Sequence, residues 1–219
     1  MKKLLIIILV MSFCGCTLLN DSYEAEKTAE QLVSEGSEAF MNKNFKNSIE
    51  SFTTLKDWYP FSKYAILAEL KIADAHYELK EYEEAIFAYS DFEKLHPRNE
   101  AVPYVIYRIG LCWYNRIDTI DRNQEPIIKS LNQFKRLIDQ FPDSSFAINA
   151  KKNIEKCISQ LASRELYIAN FYLKSENYKA ALKRFEYIIS NFSDTVERQI
   201  ALKKISICKE KINGLEKNK

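Results

Sequence analysis

Apolar residues recur along most of this chain at intervals of three and four, the spacing that places them on one face of an α-helix. The pattern itself repeats. Aligned on Pro60, Pro97, Pro142 and Ser193, four blocks agree at six positions. One residue before each anchor stand Tyr59, His96, Phe141 and Phe192. Five before are Leu55, Phe92, Leu137 and Ile188; eight before are Phe52, Tyr89, Phe134 and Phe185. Twelve before, the residue is always small (Ser48, Ala85, Ser130, Ala181), and fifteen before lie Phe45, Tyr82, Ile127 and Tyr178. A matching helix upstream carries its own small residue, Gly36, Ala73, Gly110 or Ala169. One turn later it carries Phe40, Tyr77, Tyr114 or Leu173.

A small residue lets a neighbouring helix approach closely, and an aromatic fills the hole beside it. The proline falls where the second helix stops and the next repeat starts, where its missing N–H is least costly. This design resembles the tetratricopeptide repeat. It predicts an all-α chain, a solenoid of about five helix pairs with a C-terminal capping helix. Anchor spacings of 37, 45 and 51 residues make the repeats irregular. The third block holds extra residues between its helices, near 115–125. The fourth is long enough for Ser144–Lys174 to form one helix. A last helix, about Thr195–Leu215, would present Val196, Ile200, Ile205, Cys208 and Ile212, leaving residues 216–219 frayed. Repeats 1–2 would occupy residues 27–102 and repeats 3–5 residues 103–215.

The chain's beginning follows another pattern. Lys2 and Lys3 precede an apolar run, Leu4–Phe13, which leads into Cys14-Gly15-Cys16. As a helix this run would be about 15 Å long, half a bilayer core, so it reads as a cleaved export signal and not a membrane anchor. Gly15 supplies the small residue before the cut, and Cys16 is the lipid-attachment candidate. The signal resembles that of bacterial lipoproteins, with Phe13 where leucine is usual. Thr17 in place of Asp implies, by analogy, an outer-membrane address. Residues 1–15 are then the signal peptide and 16–26 a lipid-anchored tether spanning at most about 35 Å.

Composition narrows the function. Without Lys2 and Lys3 the 32 basic residues become 30, matching the 30 acidic ones, so no excess of positive charge argues for nucleic acid. Four glycines in the whole chain exclude a phosphate-cradling Gly-rich loop. Cys112, Cys157 and Cys208 each lie on an apolar stripe and read as buried thiols, with a Cys157–Cys208 bridge as the alternative. His76 and His96 have no neighbouring cysteine that would build a zinc site, and no cofactor is expected. Neither belongs to a recognisable catalytic arrangement.

Finer motifs carry a closer resemblance. Tyr59-Pro60-Phe61 with Tyr64, the run Pro103–Leu111, Ile117–Gln124, Glu165–Tyr172 and Tyr178–Phe185 together resemble the BamD family of outer-membrane assembly lipoproteins. That resemblance spans about Ala25 to Ile212. It implies a non-catalytic lipoprotein facing the periplasm, within the machinery that inserts β-barrel proteins into the outer membrane. It implies two kinds of partner besides the membrane itself: unfolded barrel proteins at the N-terminal repeats and the POTRA domains of a BamA-like barrel subunit at the C-terminal repeats. Tyr59, Phe61 and Tyr64 then belong to the substrate groove, with Tyr104 and Tyr107 as further candidates. Asp118, Asp121 and Arg122, in the inserted loop, and Arg184 become candidates for partner docking. The loop is shorter here than in the family. An alternative reading is a periplasmic repeat adaptor that coordinates peptidoglycan or envelope-constriction proteins. It would share the repeats but need share neither the insertion nor the long fourth-repeat helix.

Overall fold

The computed structural model describes residues 26–117, 119 and 123–217, and every regular element among them is helical. The helices are α1 (Ala29–Met41), α2 (Phe45–Trp58), α3 (Ala65–Glu78), α4 (Tyr82–Leu95), α5 (Val102–Asn115), α6 (Glu125–Gln140), α7 (Ser145–Lys174), α8 (Tyr178–Asn191) and α9 (Val196–Lys217). Each packs on its chain neighbours, which is the connectivity of a solenoid.

Local chemistry sets the helix ends. At α1, the Thr28 hydroxyl accepts from the Gln31 amide while the Gln31 side chain accepts from the Thr28 amide, a complete capping box. Ser144 caps α7 and Asn177 caps α8. The residue before each anchor proves to be the C-cap of the second helix in its pair. Tyr59, His96, Phe141 and Phe192 have φ of −128°, −127°, −137° and −132°, with ψ between 54° and 64°. Proline steers its predecessor out of the helical region. Phe192 adopts the same conformation before Ser193, so proline reinforces this stop without being its sole cause.

Pairs one, two and four share a tight turn. Lys43, Lys80 and Glu176 have φ of 59°, 63° and 59°, in the left-handed region. Each turn closes with two backbone bonds; in the second, Lys80 N–H donates to Tyr77 O and Glu81 N–H to His76 O. This is a Schellman closure made without glycine. A side chain in that conformation costs about 1–2 kcal/mol, partly offset by the entropy glycine would lose on folding. Lys80→Gly is therefore expected to stabilise the fold by about 0.5–1 kcal/mol, read as a higher urea midpoint at unchanged slope.

The small residues do more than make room. A Cβ on Gly36 would lie 2.9 Å from the Phe52 ring, and one on Gly110 would lie 2.6 Å from the Phe134 ring. In those two pairs the small residue of the second helix is serine. Ser48 Oγ donates to Gly36 O at 2.8 Å, and Ser130 Oγ to Gly110 O at 2.9 Å. Where the first helix carries Ala73 or Ala169, the second carries Ala85 or Ala181, and all four are fully buried. Closest approach and the hydroxyl that exploits it thus occur together.

The core divides into four clusters, each formed by one pair and the first helix of the next. Phe52 and Leu55 gather with Ala68 of α3, and Tyr89 and Phe92 with Val105, Ile109 and Cys112 of α5. Packing is thus continuous across the expected boundary at residues 102–103. Phe134 and Leu137 gather with Ala150 and Cys157 of α7, and Phe185 and Ile188 with Ala201 and Cys208 of α9. The single helix expected from Ser144 to Lys174 is α7, 30 residues and about 45 Å long. Its first half closes pair three and its second half, through Ala169, opens pair four. Counting those halves separately, the described residues hold four complete pairs, the first half of α7 and the closing helix α9.

Helix α9 closes the stack, and it continues to Lys217, two residues past the expected end. One contact differs from expectation. Val196 is 73% exposed, because the core contact near the start of α9 is made by Ala201. Cys112, Cys157 and Cys208 are buried free thiols in three separate clusters, so the alternative bridge between Cys157 and Cys208 is not formed. Burial pushes the Cys112 thiol up to about 12.

Candidate functional site

The five aromatic candidates fall into two separate groups. Tyr59, Phe61 and Tyr64 surround the α2–α3 turn. Tyr59 is half-buried and donates its hydroxyl to Lys27 O at 2.8 Å, tying the end of α2 to the chain just before α1. Tyr64 precedes α3 and packs against the first cluster, with the Lys63 ammonium 4.8 Å from its ring centre. Phe61 is fully exposed. Of these three it alone presents its whole side chain to solvent.

Tyr104 and Tyr107 lie on α5 and meet around Phe146 of α7, at ring-centre distances of 5.5 and 5.6 Å. Tyr107 also lies 5.7 Å from Phe134 and accepts from Asn153 Nδ2 at 3.3 Å. Tyr104 leads into a polar network not foreseen from the sequence. Asp74, on the buried face of α3 and only 6% exposed, accepts from the hydroxyls of Tyr89 and Tyr104, both at 2.6 Å on Oδ1. Lys71 Nζ lies 3.4 Å from its other oxygen. Arg108 Nε donates to the Tyr89 hydroxyl at 2.9 Å, and its guanidinium stacks 3.6 Å over Tyr77. A carboxylate between Ala73 and Ala75, amid the packing positions of α3, is the sequence signal that marks this network.

The network orders its protons. Burial first, then the Asp74 charge, pushes the Tyr104 and Tyr89 hydroxyls well above the usual tyrosine range. Burial opposes the charge on Arg108, but Tyr89, Tyr104 and Asp74 outweigh it and raise its affinity for the proton. The folded state thus holds tyrosine protons that the unfolded chain releases near pH 10. Stability from this source is intact below about pH 10 and lost as pH rises beyond it. Thermal melts from pH 8 to 11 should fall steeply above 10, and less steeply in Tyr104→Phe.

Arg184 is not a free surface cation. From α8 its Nη1 donates to Glu165 Oε2 on α7 at 2.9 Å. The Glu165 side chain is 11% exposed and that of Arg184 43%, so an acid in the core is neutralised by an arginine at its rim. Arg164 approaches the other Glu165 oxygen at 3.9 Å.

Asp118, Asp121 and Arg122 lie outside the described residues, as does Cys16. The base of their loop is held on both sides. Arg116 pairs with Glu83 of α4 and stacks 4.6 Å over Trp113, while Lys129 lies 4.3 Å over the same ring. Elsewhere His76 pairs with Glu81 and His96 with Glu69, each at 2.7 Å. Among the described residues no group of His, Cys, Asp and Glu is arranged to hold a metal ion. No described helix is long and apolar enough to cross a membrane.

Comparison with known proteins finds relatives along nearly the whole chain. A relative in Rickettsia prowazekii, "Outer membrane protein assembly factor BamD", is 31% identical over 202 residues, covering 92% of this chain and 80% of its own. The protein of the same description in Neisseria meningitidis is 27% identical, covering 92% and 82%. That in Vibrio cholerae is 28% identical, covering 75% and 73%. The family model described as "YfiO: Outer membrane lipoprotein" matches residues 25–219, all four helix pairs and the closing helix, and the chain belongs to this family, which includes the BamD proteins.

Proposed function

We propose that this chain is a non-catalytic lipoprotein of the outer-membrane β-barrel assembly machinery, anchored through lipid on Cys16 and facing the periplasm. The observation that carries the reading is similarity to proteins described as outer membrane assembly factors along nearly the whole solenoid. A stack of helix pairs offers extended surface for holding other proteins. The N-terminal repeats, with Phe61 exposed at the α2–α3 turn, hold unfolded barrel segments. Their alternating apolar and aromatic side chains suit aromatic contacts. The C-terminal repeats and the inserted loop, with Asp118, Asp121 and Arg122, dock the POTRA domains of a BamA-like subunit. Arg184 contributes in two ways there, as a rim charge and as the partner that keeps Glu165 compatible with burial.

Affinity purification of the lipidated chain in mild detergent, followed by mass spectrometry, tests this reading. A POTRA-bearing barrel protein should be recovered in near-equal amount. Recovery of cell-wall enzymes without such a barrel overturns it. In the same assay Arg184→Glu should reduce the barrel recovered at least fivefold, whereas Arg184→Lys keeps most of it.

A further inference from the structure

Grooves between successive second helices recur along the stack, each floored by the first helix between them. The groove between α4 and α6, a depression of about 680 Å³, is clasped across by an ion pair. Glu93, one residue after Phe92, forms two bonds to Arg136, one residue before Leu137, at 2.7 and 3.0 Å. The same two places in the preceding groove, between α2 and α4, are occupied by Lys56 after Leu55 and Asp91 before Phe92. Their charges would allow the same clasp, yet they do not pair. Asp91 turns to Lys94 at 3.6 Å, and Lys56 makes no ion pair among the described residues.

The unclasped groove has a volume of about 610 Å³ and an apolar floor and wall that include Ile72, Phe87 and Leu95. Phe87 is 69% exposed and Leu95 66%, which is more than isolated surface side chains need be, because both face one depression. Its rim is acidic. Glu69, Glu83, Glu84 and Asp91 line it against Lys56 and His76; Glu69, Glu83 and Asp91 have partners in His96, Arg116 and Lys94, whereas Glu84 has no ion-pair partner among the described residues. Glu83 and Leu95 are separated by about 18 Å of helix.

We infer that this groove is a docking site for a basic amphipathic helix of a partner protein, distinct from the aromatic candidates at the α2–α3 turn and independent of the assembly reading. Charge selects the partner: an acidic rim around an apolar floor matches a segment with leucine-like residues on one face and lysine or arginine beside them. Backbone chemistry selects its conformation. Both walls are helix flanks whose amides and carbonyls are already paired, so an extended segment would find no ladder to join. A helix arrives with its own hydrogen bonds made. Three turns of such a helix match the length of the groove.

The test uses the full chain in a non-ionic detergent and a 14-residue leucine–lysine amphipathic peptide carrying a photo-crosslinker. A leucine–glutamate peptide of the same pattern is the control. Adducts should map to α2, α3 and α4, and the glutamate peptide should give at least tenfold less. Phe87→Glu, and separately Glu84→Lys with Asp91→Lys, should each cut the yield at least fivefold while circular dichroism melts remain those of the parent. Phe171→Glu, an equally exposed site on α7, should change nothing. Adducts spread over the whole solenoid, equal labelling by the glutamate peptide, or yields indifferent to Phe87 and the acidic pair would each overturn the assignment. None of these outcomes depends on whether a POTRA-bearing protein is recovered.

Discussion

Asp74→Ala is expected to destabilise the chain by about 3–5 kcal/mol, the cost of removing one member of a buried charged network. Two tyrosine hydroxyls at 2.6 Å would lose their acceptor. Lys71 and Arg108 would keep their positive charges beside a site with no carboxylate. Each unsatisfied buried donor alone costs about 1–3 kcal/mol. In a chain of this size that corresponds to a drop in Tm of about 10 °C. A triple variant, Asp74→Leu with Tyr89→Phe and Tyr104→Phe, removes the two tyrosine donors with their acceptor, leaving Arg108 its contact with Glu78, and should recover part of the loss. No recovery would mean that Asp74 matters for packing and not for its hydrogen bonds. Amide exchange adds a spatial readout: loss of protection should centre on α3, α4 and α5 and reach α8 and α9 last, because each layer rests only on its neighbours.

Gly110→Ala sets two rules against each other. Helix propensity favours alanine over glycine by about 1 kcal/mol in a helix interior. Packing opposes it: the new Cβ would stand 2.6 Å from a carbon of the Phe134 ring, which is fully buried and also packed on Tyr107. Overpacking costs about 1–3 kcal/mol, occasionally more. Separating α5 from α6 also stretches the 2.9 Å bond from Ser130 to the Gly110 carbonyl. The packing loss wins, and a net destabilisation of about 2 kcal/mol is expected in urea denaturation. Adding Phe134→Leu should restore part of it by freeing the space the ring fills. The same substitution at Gly36 should cost less. Its clash, at 2.9 Å, is milder, and among the described helices α1 packs chiefly on α2. A stabilised Gly110→Ala would show that the two helices can part without loss, against the close-packing account.

Much of this was legible in the chain because the repeat writes its packing at fixed intervals. Phe52, Tyr89, Phe134 and Phe185 are equivalent in spacing and equally buried, and the glycine or alanine opposite each is where helices approach. The extra length of the fourth block made α7 visible as one helix, and the structure shows Ser144 capping it. Val196 was misjudged because its apolar character places it on a face but does not say where the preceding layer ends. The functional candidates were less legible. Tyr59 and Tyr107 are aromatic for packing and hydrogen bonding, and no linear pattern distinguishes that from aromatic residues held ready for a ligand.

The sequence alone determined the helix pairs, their stops, the small-against-aromatic contacts and the stacking order, since each depends on residues within one or two turns or one repeat. Tertiary structure decided what depends on two side chains meeting from distant positions. Asp74 gains its tyrosines from α4 and α5, Glu165 gains Arg184 from α8, and Glu93 reaches Arg136 while Asp91 does not reach Lys56. Those choices rest on ångström differences in how one layer sits on the next. Charge and periodicity along a chain do not encode such distances until the layers are packed.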